Sequence, residues 1–125
     1  MIRGIHHVSM KCGDPELYAR ARAFYRDALG LSVHREWPEG VLFDTGDGLI
    51  ELFCNGPGEA RKGAVRHFAL ATDDLAADCE RLAKAGFAPF LGPKALRLPS
   101  DPPVVAQIAF FTGPLGEEIE LFEVR

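Results

Sequence analysis

The chain has 125 residues, 47% of them apolar and 26% charged, which predicts one globular domain over residues 1–125 with its own hydrophobic core. Its formal net charge of −4 argues against nucleic acid or an anionic membrane as a partner, because both select basic surfaces. No apolar run reaches the roughly 20 residues of a membrane span and no signal peptide is recognisable, so we expect a cytoplasmic protein.

The first half of the chain carries the signals of a strand, a helix and three more strands. Residues 2–12 alternate in polarity, which predicts a strand with His7 on its less apolar face. Asp14-Pro15-Glu16 predicts the start of a helix, and Gly30 predicts its end. Three further strands are predicted at 31–37, 41–45 and 49–54.

The second half repeats this order of signals. After a surface connection at 55–63 and a strand at 65–72, Asp73-Asp74 predicts a helix start and Gly86 its end. Residues 92–103 contain four prolines and predict a loop, which is either a rigid surface segment or a lid or anion-contacting loop over a pocket. The remaining strands are predicted at 87–91, 104–111 and 118–124.

One tetrapeptide occurs twice. Ile50-Glu51-Leu52-Phe53 returns as Ile119-Glu120-Leu121-Phe122, and each copy follows a histidine at the head of its half, His7 or His67. The repeat predicts an α+β fold of two βαβββ modules, about 1–56 and 64–125. Strand alternation places each His and each Glu on equivalent faces in the two modules, so the four side chains could converge if a pseudo-twofold axis relates the modules.

A carboxylate in an otherwise apolar strand is costly to bury unless it is paired, protonated or bound to a cation. Taken singly, each of these histidines and glutamates could instead be an ordinary solvent-facing or core residue. As a repeated set they offer two imidazoles and two carboxylates, which suit nickel, zinc, manganese, cobalt or ferrous iron. The pattern therefore favours a metal site.

The cysteines do not suggest a second kind of site. Cys12, Cys54 and Cys79 are odd in number and widely spaced, and no two of them form a CxxC pair. This spacing supports neither a disulfide framework nor a thiolate zinc site. We expect three reduced cysteines that fill space in or near the core.

The chain resembles the vicinal oxygen chelate superfamily, which includes glyoxalase I, acyl-CoA epimerases, antibiotic-resistance proteins and dioxygenases. The resemblance lies in the helix exit Phe24-Tyr25-Arg26-Asp27 to Leu29-Gly30-Leu31 and in Gly116 to Leu121. It implies a curved, mostly antiparallel half-barrel sheet and a homodimer with a metal site at the interface. By the same resemblance the metal ligands are His7, Glu51, His67 and Glu120.

Within this superfamily the chain is most similar to glyoxalase I, because Glu51 stands at the second ligand position and Asn55 follows four residues later. Lys11 stands where glyoxalase I has an arginine. In the family these two positions, 11 and 55, contact the carboxylates of glutathione. The resemblance implies substrate-binding roles for Lys11 and Asn55 and a catalytic base role for Glu120 or Glu51.

The implied activity is a metal-dependent conversion of the hemithioacetal of a 2-oxoaldehyde, with glutathione or another thiol, to a thioester. Nickel or zinc is the expected cofactor, with manganese, cobalt or iron as further options. Two alternatives stay open at this point. One is an epimerase of a 2-substituted acyl-CoA, and the other is a metal-free protein that binds a drug or antibiotic.

Overall fold

A computed structural model of the chain describes residues 1–59 and 63–124. By its internal contacts the chain divides into two compact units, residues 1–60 and 61–125. The predicted connection at 55–63 falls at this division, and its residues 60–62 lie outside the described part. Each unit contains a four-stranded sheet.

The first unit has the order strand, helix, strand, strand, strand. The elements are β1 His7–Lys11, α1 Pro15–Ala23, a π-helical turn Phe24–Ala28, β2 Ser32–Trp37, β3 Gly40–Asp44 and β4 Leu49–Phe53. The helix α1 continues directly into the π-helical turn. Strands β1 and β4 are parallel neighbours, whereas β4, β3 and β2 pair in antiparallel fashion, so the sheet order is β1-β4-β3-β2.

Local chemistry explains where α1 begins and what it covers. The Asp14 carboxylate accepts hydrogen bonds from the backbone N–H groups of Glu16 and Leu17 at 2.9 and 3.0 Å, as the sequence predicted. Tyr25 is fully buried and lies against Phe43 of β3, with ring centroids 5.8 Å apart. The helical segment therefore covers one face of the sheet and leaves the other face for the site.

The second unit has the same order of elements, which are β5 Phe68–Ala71, α2 Leu75–Lys84, β6 Leu91–Leu98, β7 Val104–Thr112 and β8 Glu118–Val124. Its sheet order, β5-β8-β7-β6 with β5 and β8 parallel, is equivalent to that of the first unit. Asp74 caps α2 by accepting from the N–H of Ala77 at 3.0 Å. Leu82 of α2 is fully buried. The predicted α+β class with two βαβββ modules is confirmed.

The predicted strand at 87–91 and the first part of the predicted loop at 92–103 are wrong, because β6 occupies Leu91–Leu98; only residues 99–103 form a loop, which connects β6 to β7. Pro93 is tolerated there since β6 is an edge strand, where a missing N–H leaves no neighbour unpaired. The register with β7 shifts between Leu91 and Lys94. Gly92 has a φ of 81° in this bulge, and a Cβ there would lie 2.5 Å from the carbonyl oxygen of Ile108.

β1 and β5 begin later than predicted, at His7 and Phe68, so His67 immediately precedes its strand. All three cysteines are free thiols; Cys12 and Cys79 are buried and Cys54 is half-buried. Among the residues that the structure describes, no helix has the length and apolar character needed to cross a membrane.

Candidate metal centre

The parallel pairing of β1 and β4 brings His7 to Glu51. Ser9 is the Cα partner of Glu51, and His7 lies two residues before Ser9 on the same strand face. The Nε2 atom of His7 is 3.7 Å from Oε1 of Glu51. Two residues that are distant in sequence thus meet because a parallel strand pair sets their register.

The second unit repeats this arrangement. Ala69 is the Cα partner of Glu120, and His67 lies two residues before Ala69. The Nε2 atom of His67 is 3.4 Å from Oε1 of Glu120. Each unit therefore contains one His–Glu pair, built by the same register of the same two strands.

Burial alternates along both Glu-bearing strands. In β4 the buried Ile50 and Leu52 alternate with Glu51, whose side chain is 15% exposed. In β8 the buried Ile119 and Leu121 alternate with Glu120, whose side chain is 14% exposed. Both carboxylates therefore lie on the face opposite the helix, largely shielded from water and with a histidine as partner.

Two residues that the sequence did not single out hold the imidazoles. Nδ1 of His6 lies 2.9 Å from Nδ1 of His7, within hydrogen-bond distance. Because the Nδ1 atom of His7 is engaged in this contact, its other ring nitrogen, Nε2, is left directed toward Glu51. In the second unit the ring of His67 stands edge-on to Phe110, with centroids 5.1 Å apart and planes at 86°. Phe110 is itself the cross-strand partner of Glu120.

The His6-His7 dipeptide was a visible signal for the first contact. Alternation along a strand directs adjacent side chains to opposite faces, so it does not predict this contact. No local pattern identifies Phe110, because its contact depends on the pairing of β7 with β8.

Lys11 and Asn55 lie near one end of the first sheet. Lys11 is the last residue of β1, and its Nζ would be 3.2 Å from a Cβ placed on Gly56. The amide of Asn55 donates a hydrogen bond to Oε2 of Glu39 at 3.0 Å. Both residues are exposed, so the Lys11 ammonium and the Asn55 amide lie at this end of the sheet, near the loop that follows β4.

A cavity of about 440 Å³ lies in the first unit between the start of α1 and this loop. Neither His7 nor Glu51 lines it. Its lining consists of Cys12, Gly13, Asp14, Leu17, Gly56, Pro57 and Gly58.

The spacing of the His–Glu pairs fits adjacent ligands of one ion. Two ligands bound at about 2.1 Å are about 3.0 Å apart at 90° and about 3.4 Å apart at the tetrahedral angle. The observed 3.7 Å for His7–Glu51 and 3.4 Å for His67–Glu120 are close to this range. Within residues 1–59 and 63–124, no three His, Cys, Asp or Glu side chains cluster closely enough to hold a metal ion. Each unit by itself offers two donors.

Comparisons with known proteins identify a matching family and similar solved structures. The family model described as the Glyoxalase/Bleomycin resistance protein/Dioxygenase superfamily matches residues 4–121. The chain is similar to the solved structure of TnmS3, an antibiotic binding protein from a Streptomyces species, with 26% identity and a TM-score of 0.73 over 99% of this chain and 98% of that chain. It is also similar to a lactoylglutathione lyase from Agrobacterium tumefaciens, with 22% identity and a TM-score of 0.65 over 98% and 95% of the two chains. The latter similarity concerns the fold alone. A search of the curated proteins found no match.

Proposed function

Because this chain belongs to the glyoxalase/bleomycin resistance protein/dioxygenase superfamily, we propose that it is a divalent-metal-dependent lyase or isomerase of the glyoxalase I type. Its substrate is the hemithioacetal of a 2-oxoaldehyde, and its product is the thioester. The proposed ligands of one nickel or zinc ion are His7, Glu51, His67 and Glu120.

The repeated His–Glu pair carries the proposal. A single pair with its nitrogen and oxygen 3.4 to 3.7 Å apart would be an ordinary ion pair on a sheet. Two such pairs at the same register, each with a largely shielded carboxylate, are what a site with two imidazole and two carboxylate ligands requires. Members of this superfamily commonly bind a divalent metal, which agrees with this donor set.

In the proposed reaction a proton moves between two adjacent carbons. A bound divalent ion supplies a Lewis acid that makes the proton beside a carbonyl group easier to remove. An oxygen of Glu120 or Glu51 accepts the proton from one carbon and delivers it to the next, while the hydroxyl proton passes to the neighbouring carbonyl oxygen, so the reaction is an isomerisation without loss of atoms. Phe110, against His67 and opposite Glu120, limits the access of water to that carboxylate.

The thiol part of the substrate is assigned to the end of the first sheet. The Lys11 ammonium and the Asn55 amide are both exposed there and are suited to the carboxylates of a thiol such as glutathione. A lysine acts there as a single positive charge rather than as a bidentate fork. Removal of its charge should therefore raise KM more than it lowers kcat.

The direct test is thioester formation from methylglyoxal and glutathione by metal-free protein reconstituted with nickel or zinc. The ultraviolet absorbance of the thioester reports the product. Activity in the wild type and its loss in Glu120→Gln or Glu51→Gln would support the proposal. Full activity in both variants, or none in the reconstituted wild type, would overturn it.

A second candidate function is metal-free binding of a drug or antibiotic. Two observations favour it: the 26% identity with an antibiotic binding protein, and the edge-on contact of Trp37 with Phe53, whose ring centroids are 5.6 Å apart. A protein of this kind would retain less than about a tenth of a metal ion per chain after dialysis against divalent ions. The glyoxalase proposal predicts about one ion per chain.

A further inference from the structure

Arg35 and Trp37 lie on the same face of the first sheet as Glu51. Glu36, between them, pairs with Arg22 of α1, with Nη2 2.9 Å from Oε1. Because neighbouring side chains of a strand point to opposite faces, Arg35 and Trp37 point away from α1. The register agrees, since Leu42 of β3 is the Cα partner of both Arg35 and Glu51.

Together with Phe53, these two residues form a continuous side-chain surface that reaches Glu51. Cζ of Arg35 lies 4.8 Å from the centre of the Trp37 ring, and Trp37 stands edge-on to Phe53 at 81°. Phe53 follows Glu51 by two residues and shares its face. Gly40 makes room for the indole, because a Cβ there would lie 3.1 Å from Cζ2 of Trp37.

The guanidinium of Arg35 is stacked but has no acidic partner among the described residues. The side chains of Arg22, Arg26 and Arg81, in contrast, each form an ion pair with a carboxylate. Stacking on an indole fixes the plane of a guanidinium and leaves its N–H edge free. Such an edge matches two oxygens of a carboxylate or phosphate.

We propose that Arg35, held by Trp37, binds an anionic group of a small organic substrate whose reacting carbonyl end lies at the His7–Glu51 pair. Two strand spacings separate Arg35 from Glu51, which is about 10 Å between Cα atoms. The apolar side chain of Leu42 lies between the two ends, and Phe53 lies beside Glu51 on the same face. The site therefore selects an elongated molecule with a carboxylate or phosphate at one end and a carbonyl group at the other. The position of the carbonyl end depends on the proposed function, whereas anion binding at Arg35 does not.

Trp37 is the only tryptophan of the chain, so intrinsic tryptophan fluorescence reports on the surface that Trp37 forms with Arg35 and Phe53. Metal-free full-length protein is titrated with glutarate and, separately, with propyl phosphate, while neutral glutaramide serves as the uncharged control. Arg35→Gln removes the charge, Arg35→Lys keeps it without the planar fork, and Arg20→Gln removes a charge from α1. Circular dichroism establishes that each variant is folded.

We expect at least one of the two anions to quench or shift the fluorescence and glutaramide to have no effect. Arg35→Gln should weaken anion binding by about tenfold or more, Arg35→Lys should restore it only in part, and Arg20→Gln should match the wild type. Preference for glutarate or for propyl phosphate identifies the anionic group. Equal affinity of the wild type and Arg35→Gln, or no binding of either anion, would overturn the inference. Anion binding through Arg35 without thioester formation would leave the inference standing and remove the proposed function.

Discussion

Glu120 holds in its unit the position that Glu51 holds in the other: each is the Cα partner of the residue two places after a histidine. The equivalence follows from the backbone hydrogen-bond register of the two parallel strand pairs and not from the side-chain conformations. Substitutions at the two positions should therefore have comparable effects on metal binding. They should differ in catalysis, because the proposed mechanism gives the role of base to only one of the two carboxylates.

The first prediction concerns that base. Glu120→Gln and Glu51→Gln keep side-chain volume but remove the carboxylate, so one of them should lower kcat by about 10² to 10⁴-fold with metal present. Glu80→Gln on α2, whose side chain is 69% exposed, is the matched control and should leave kcat unchanged. Comparable small losses in both site variants would show that neither carboxylate carries the proton.

A complementation experiment tests whether the protein forms a homodimer with a shared metal site, as the family resemblance implies. His7→Ala and His67→Ala should each abolish activity. If one chain supplies His7–Glu51 and its partner supplies His67–Glu120, mixing the two inactive variants restores one intact site per heterodimer. Random pairing then returns about a quarter of wild-type activity. An absence of rescue after subunit exchange would mean that all four ligands come from one chain.

Leu82 is fully buried on α2 and offers a stability test independent of the site. Leu82→Ala leaves a cavity and should lower the free energy of unfolding by about 2 to 5 kcal/mol. Leu98→Ala, at a side chain 40% exposed on β6, should cost less than about 1 kcal/mol. Urea denaturation measures both. Equal losses would contradict the position of α2 on its sheet.

The buried thiol of Cys79 should make the free energy of unfolding fall at alkaline pH. Burial, with a further contribution from Asp78, raises the pKa of the Cys79 thiol above its ordinary value of 9.0. The folded state then binds more protons than the unfolded state above that pH, so this contribution is complete below about pH 9 and is lost as pH rises through the folded pKa. Cys79→Ala should flatten this part of the curve of unfolding free energy against pH. If the wild type and Cys79→Ala gave parallel curves, Cys79 would not be the source of this pH dependence.

The elements that local chemistry controls could be predicted from the sequence. Asp14 and Asp74 mark helix starts because their carboxylates accept from free N–H groups, and the recurring Ile-Glu-Leu-Phe fixes which strand face each Glu occupies. The strand β6 could not be predicted, since Pro93 argues against a strand until its edge position is known. Contacts across strands, such as Phe110 with His67, likewise require the pairing itself.

Calorimetric titration of metal-free protein with nickel or zinc tests most directly whether the His–Glu pairs bind a metal ion. We expect about one ion per chain, and His7→Ala and His67→Ala should each weaken binding by about tenfold or more. His34→Ala, an exposed histidine of β2, should bind like the wild type. Binding of less than about a tenth of an ion per chain, or unchanged affinity in both site variants, would contradict metal binding by the His–Glu pairs.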